Sequence, residues 1–382
     1  MTITLRGMTW AHRRAIDPLI ETLPAFRRRR PDISVAWTSR PLHGFEFTPV
    51  EELARQYDLI ILDHPFAGDI ARKRYLRPLD DLVDPWLETA FVGPSLASYR
   101  YDGTLWALPV DAACQVGAIR PDLMTRLDRP VPRSWDELLA LGAAARRHGL
   151  HLAIGLRGVH SLMTFFTLCA NLGRPCGTDP AGPLLERDTA KQALAAMRAL
   201  LACCPAEALD WNSIELHDAM VARDDLVCCP AVYCYATYAE ADVRAPLRFF
   251  DLPGPAGPRG STLGGTGVGV SAHGRHPEAA LAYMRFLVEP STQRAFAAHH
   301  GQPARIEAWE DPAIDARFGG CYGATRATIE AAWIRPRYAG YLDFQAQAGA
   351  LVERHLHGDL AEDSLLEQLE RMHRAGARQP SR

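Results

Sequence analysis

The 382 residues of this chain carry 42 Lys and Arg against 45 Asp and Glu, a formal net charge of −3, which gives no global reason to expect a nucleic acid or an anionic membrane as partner. With 48% hydrophobic and 23% charged residues, the composition is that of a globular protein with a sizeable core and room for about two to three domains. No apolar run reaches the roughly 18 to 20 residues of a transmembrane helix, and MTITLRGMTW lacks the basic start and long apolar core of a leader, so the sequence as it stands reads as cytoplasmic, or as periplasmic if a leader has been trimmed.

Thr2 to Leu5 reads as a first strand, with Gly7, Thr9, Trp10 and His12 in the loop after it. A helix follows, with Ile16, Leu19, Ile20, Leu23 and Phe26 at helical spacing. Pro24 should kink it, and Arg27 to Arg30 suit the negative end of its dipole. Ile33 to Trp37 is a strand and Glu51 to Gln56 a short helix. Tyr57 to Leu62 is a continuous apolar strand, as in a parallel sheet covered on both faces, and it ends in Asp63-His64-Pro65. A helix spans about 67–75. In Tyr99 to Arg120 a turn at Asp102-Gly103 precedes two short β-type runs, with Pro109 and Asp111 between them. Proline sits poorly in a central strand and a carboxylate between buried runs needs a partner, so this stretch reads either as a core strand and an edge strand with Asp111 capping a turn or as a hinge.

Pro121 to Leu127 is a short helix, and Ser134-Trp135-Asp136-Glu137 is a capping box before an Ala/Leu-rich helix. Leu150 to Leu156 is a strand, His160 to Leu172 a buried helix, Asp188 to Leu201 and Ile214 to Ala222 further helices. Strands are expected at Leu226 to Tyr235, Leu247 to Leu252 and, after the breaker cluster PGPAGPRGSTLGG, Thr266 to Ser271. Pro277 opens a helix, another runs from Thr292 to Gly301, and Tyr322–Trp333, Tyr341–His357 and Ser364–Arg374 close the chain as helices. The alternation predicts an α/β fold with mostly parallel sheets.

Motifs with their own chemistry are weak. Gly267-Val-Gly269-Val-Ser-Ala272 fits a dinucleotide fingerprint, but it follows a Pro/Gly loop and alternates like a strand. His148/His151, His355/His357 and Cys228, Cys229 and Cys234 lack metal-ligand spacing. Neither a cofactor nor a metal is expected. Nine Cys, with adjacent pairs at 203–204 and 228–229, read as small reduced hydrophobes. Cys114, with His12 or His64 as base, is the one nucleophile candidate. Loops at strand ends carry more weight, because open α/β sheets bind ligands there. Trp10/His12, Asp63/His64, Tyr233/Tyr235 and Gly264-Gly265-Thr266 could together line one cleft.

The ordered set LIETLPAFRRRRPDISVAW, YDLIILDHPFAGDIARKRYLRPLDDLV, YDGTLWALPV with VGAIRPDLM, PVPRSWDELLALGAAARRHGL, AMVARDDLVCCPAVYCY, the run from LPGPAGPRG to EPSTQRAF, and LHGDLAEDSLLEQL resembles the extracellular solute-binding proteins of ABC importers, the family that contains maltose-binding protein. The resemblance implies a two-lobed, type II periplasmic-binding-protein-like α/β fold. Its first lobe would be 1–110 with 266–308, its second 115–260 with 312–382, and its crossings near 111–114, 261–265 and 309–311. It implies non-enzymatic binding of a small polar solute, sugar-like or organic-acid-like, in the inter-lobe cleft. Tyr233 and Tyr235 would stack on the ligand, with Trp10, His12, Asp63 and His64 facing them from the first lobe. Asp111 and Gln115 would stand at the crossing, Gly265 and Thr266 would offer backbone N–H groups where the next strand begins, and Arg335, Arg337 and Tyr341 would approach from the last segment. The partners implied are the small-molecule ligand and the membrane permease of an ABC importer; neither nucleic acid nor direct membrane insertion is expected, and the chain would act as a monomer. The alternative is a cytoplasmic sensor or an enzyme that has kept the fold.

Overall fold

The computed structural model describes residues 2–41, 48–82 and 85–376; the last residues assigned to the second lobe, 377–382, lie outside it. One mixed sheet runs through the molecule. Its strands are β1 (Ile3–Trp10), β2 (Ile33–Arg40), β3 (Leu59–Leu62), β4 (Leu108–Ile119), β5 (His151–Leu152), β6 (Leu226–Tyr233), β7 (Arg248–Phe250) and β8 (Leu263–Val270). They lie in the order β2-β1-β3-β8-β4-β6-β5, with β7 also on β4. The outer pairs β1–β2, β1–β3 and β5–β6 are parallel. The inner pairs, β8 with β3 and β4, and β4 with β6 and β7, are antiparallel.

The long strand β4 replaces the two short strands and the break expected around Pro109. All twelve of its residues are buried. Residues up to Cys114 pair with β8, and from Gln115 onward the pairing passes to β6 and β7. The strand therefore belongs to both halves of the sheet. Pro109 fits because the ladder is irregular there: Asp111 pairs with Thr266 and Pro109 with Gly267, leaving Val110 as an extra residue. A bulge leaves backbone groups off the ladder, so the missing proline N–H breaks nothing.

Other departures have similarly local causes. The first strand continues to Trp10 because every residue from Ile3 onward finds a partner in β2. The first helix is interrupted, Arg13–Glu21 then Leu23–Arg29, where Pro24 enters a new first turn and the Thr22 hydroxyl donates to the Pro18 carbonyl. The helix expected over Tyr322–Trp333 is two short pieces, Cys321–Ala324 and Arg326–Glu330. Trp333 instead pairs in extended form with the backbone of Ser261 and Leu263.

Two apolar cores flank the sheet. One gathers Leu5, Met8, Ile60, Val268 and Met284 around β1, β3 and β8. The other gathers Leu138, Phe165, Phe166, Met197, Val227 and Val352. The helix Val159–Asn171 is buried along nearly its whole length, as a helix apolar all round should be. It packs on the long helix Tyr341–Leu356, and both reach the cleft between the halves of the sheet.

Candidate functional site

At the carboxyl end of β1 the chain turns at His12, whose Nδ1 accepts the Arg14 backbone N–H and caps the following helix. That cap sets Arg14, 5% exposed, in the first helical turn. Its Nε and one terminal nitrogen donate to the two Asp111 carboxylate oxygens at 2.7 and 2.5 Å. The other terminal nitrogen donates to the Cys234 carbonyl at 2.6 Å, and the guanidinium lies 4.5 Å from the centre of the Tyr235 ring. One arginine thus joins the end of β1, the crossing strand β4 and the exit of β6.

A second pair faces it. Asp63, at the end of β3, caps the turn His64–Phe66 and accepts Arg335 at 2.6 Å. Arg335 also donates to Gln345 Oε1 at 2.9 Å, on the helix Tyr341–Leu356. Burial opposes the charge on both guanidiniums, but the carboxylate beside each overrides it and holds the arginines above their ordinary pKa. Burial would likewise lift the Asp63 carboxyl, but Arg335 and His64 hold it well below the usual range. The formal charges of the two Arg–Asp pairs cancel.

The histidines add no charge at neutral pH. Burial, with Arg157 and Arg335, lowers His160 to about 4. Burial lowers His64 to about 4 although Asp63 opposes it. His160 lies across from the Tyr233 ring at 6.4 Å and meets the Ser213 hydroxyl at 3.3 Å.

The cavity between these groups has a volume of about 90 Å³ and opens to solvent at its mouth. Trp10, Tyr233 and Tyr235 supply aromatic wall, and Phe66, Met163 and Leu342 apolar wall. Gly264 and Gly265 form part of the floor. A Cβ on Gly264 would meet the Tyr233 ring at 2.7 Å; one on Gly265, whose φ is +89°, would meet the Asp111 carbonyl at 2.5 Å. Two polar atoms of the lining residues are buried without a protein partner among the described residues: Thr266 Oγ1 and Arg335 Nε. Buried polar atoms are normally paired, so this is a site prepared to accept and donate hydrogen bonds.

Of the residues singled out from sequence, Trp10, Asp63, Tyr233, Tyr235, Gly265, Thr266 and Arg335 line this cleft together. The other six do not. His12 caps its helix and packs edge-on to Tyr235 at 4.9 Å; burial, then Arg14, lowers its pKa to about 3. His64 is fully buried, 2.9 Å from the Asp63 carboxylate. Asp111 stands behind Arg14 as its counterion. Gln115 is buried in β4, bonded to Thr164 and Thr167. Arg337 donates to the carbonyls of Ala97, Ser98 and Arg100, and Tyr341 lies in the second core. Cys114 is buried in β4, and burial pushes its thiol well above the ordinary value, so it offers no thiolate. Gly267 to Val270 belong to β8, where no helix opens to cradle a phosphate. The sequence reading missed Arg14, His160, Ser213 and Gln345. The signal for Arg14 was its place in the first turn after a strand end; the other three sit in or beside helices whose inward face only packing defines.

A family model described as bacterial extracellular solute-binding protein matches residues 53–314. No curated protein sequence matches the chain. Among solved structures, the maltose-bound MalE3 of T. maritima is 20% identical, covering 98% of this chain and all of its own, with a TM-score of 0.85. The GacH receptor of Streptomyces glaucescens, studied unliganded and with acarbose, is 17% identical over 99% of each chain, TM-score 0.81. An ABC transporter solute-binding protein of Agrobacterium vitis with bound D-mannitol is 14% identical over 98% of each, TM-score 0.79. These similarities give the chain the two-lobed fold.

Proposed function

The chain belongs to the bacterial extracellular solute-binding protein family, and on that premise we propose that it is the substrate-binding component of an ABC transporter, taking a small neutral polyhydroxyl solute, a sugar or polyol, between its lobes. The lobes are 1–110 with 266–308 and 115–260 with 312–382, hinged near 111–114, 261–265 and 309–311. The change of partner along β4 between Cys114 and Gln115 supports this division. Ligand touches both lobes only when they close, so binding shifts the population toward the closed form. The chain acts as a monomer that hands solute to a membrane permease, and it performs no chemistry on it.

One observation carries the choice of ligand: each cleft arginine is already neutralised by its own aspartate. A carboxylate ligand would have to compete with Asp63 or Asp111 for a guanidinium. A hydroxyl ligand needs only the vacant Arg335 Nε, Thr266 Oγ1 and a ring face on Tyr233 or Tyr235. The solved relatives with maltose, acarbose and D-mannitol bound support the same class. Calorimetry with a panel of mono- and disaccharides, pentitols, hexitols and small dicarboxylates tests it, with small-angle scattering on any binder. We expect a saccharide or polyol to bind and to shrink the radius of gyration. Binding of dicarboxylates alone would overturn the neutral-ligand reading, and an unchanged radius at saturation would overturn closure.

A further inference from the structure

Cys234 sits between the two tyrosines of the cleft wall, and its Sγ lies 3.4 Å from the Sγ of Cys321. Both residues are buried. Cys234 follows the end of β6, where its backbone N–H donates to the Cys114 carbonyl and its own carbonyl accepts Arg14. Cys321 opens the short helix Cys321–Ala324, and Gly319 and Gly320 precede it with positive φ. A disulfide has its sulfurs about 2.05 Å apart. The pair must therefore approach by only ~1.4 Å, within reach of a rotamer adjustment and a small shift of a one-turn helix. The family is described as extracellular, and outside the cytoplasm thiols so placed meet oxidising conditions.

We propose that Cys234 and Cys321 are a site of reversible disulfide formation, with a low-molecular-weight disulfide such as oxidised glutathione as the oxidant. One cysteine thiolate attacks the glutathione disulfide, forming a mixed disulfide and releasing one glutathione. The other cysteine attacks the protein-side sulfur and releases the second. Two protein thiols are oxidised, one glutathione disulfide is reduced to two glutathiones, and the two protein protons end on the released thiols. Burial lifts the Cys321 thiol, so the exchange is slow in the folded protein and proceeds while the chain folds. The bond ties the segment bearing Tyr233 and Tyr235 to the helix behind it and fixes the carbonyl that holds Arg14. It closes a loop between residues 87 apart in sequence, and a long closed loop constrains the unfolded chain strongly.

The test is to refold the reduced, full chain in a glutathione buffer of oxidising ratio, alkylate the free thiols and map the peptides by mass spectrometry. The expected result is a Cys234–Cys321 crosslinked peptide that dithiothreitol abolishes, with the other seven cysteines alkylated. The oxidised protein should melt several degrees above the reduced one, and Cys321→Ser should erase that difference. Recovery of Cys234 and Cys321 both alkylated, or pairing of Cys169 with Cys176 in their place, overturns the proposal. The map uses the wild-type chain, so it decides the matter even if Cys321→Ser does not fold.

Discussion

Asp111 shows how a residue's role depends on what stands beside it. Its sequence context, a carboxylate between two buried runs, admits a ligand contact. In the structure it is bidentate on Arg14 and only 6% exposed. Removing one member of a buried pair leaves an uncompensated charge, at a cost of about 3–5 kcal/mol. Asp111→Asn should therefore lower the urea midpoint sharply, and an unchanged midpoint with weakened solute binding would return Asp111 to the ligand shell. Asp63→Asn should lower both affinity and stability, since Asp63 lines the cleft and its partner Arg335, only 5% exposed, would be left without a counterion. The buried histidines make a separate prediction. His64, His160 and His217 are each lowered to about 4, burial being the main cause. Between about 6.5, the unfolded value, and 4 the unfolded chain binds protons that the folded chain refuses, so stability falls as pH drops through that window. The contribution of Asp63, whose pKa is depressed, persists above about 3.9 and fades only below it. Melting temperature should hold from pH 8 to 7 and then decline toward pH 4.5, with a shallower decline in His160→Gln. A flat profile would mean that these histidines titrate normally.

Among the elements, β4 decides the architecture, and only part of it was legible. The apolar runs on both sides of Pro109 were plain in the sequence. Their continuity was not, because the bulge at Val110 is set by the register of β8, a strand far along the chain. The site divides in the same way. Trp10, Asp63, Tyr233 and Thr266 could be named because strand ends face a cleft in this class of fold. Arg14, His160 and Gln345 could not, because a polar residue on a helix looks solvated until packing shows which face turns inward. Gly265 links strand register to site. Its φ of +89° and the Asp111 carbonyl 2.5 Å from a would-be Cβ leave no room for a side chain. Gly265→Ala should cost roughly 3 kcal/mol from backbone strain and displacement of β4. It should also weaken solute binding, since the shift carries Asp111 and Arg14 with it. Full stability with normal affinity would show that the β8 entry can relax independently of the crossing strand.

At the scale of the whole molecule, the proposed closure draws on more than the solute. Glu240, its side chain only 6% exposed, accepts Arg13 at 2.8 Å and Arg317 at 2.9 Å, and His300 Nδ1 lies 2.9 Å from its carboxylate. In the proposed division Arg13 and His300 belong to the first lobe, and Glu240 and Arg317 to the second. None of the four lines the cleft. The contacts across the gap exist only when the lobes are together, so they favour the closed form without touching solute. Arg13 and His300 are about one-third exposed, which limits each contact to roughly 0.2–1 kcal/mol. Glu240→Gln removes both and leaves basic groups facing one another. It should weaken solute affinity about fivefold through the population of the closed state, or roughly 1 kcal/mol. The unliganded radius of gyration should grow if the wild-type chain already samples closure. Because the latch is partly exposed, 0.5 M salt should bring wild-type affinity toward that of the variant and change the variant little. Arg13→Ala removes one of the two contacts and should show a smaller weakening, and the double variant should be no worse than Glu240→Gln alone. Unchanged affinity in Glu240→Gln at low salt would place the whole free energy of closure on the solute and its cleft.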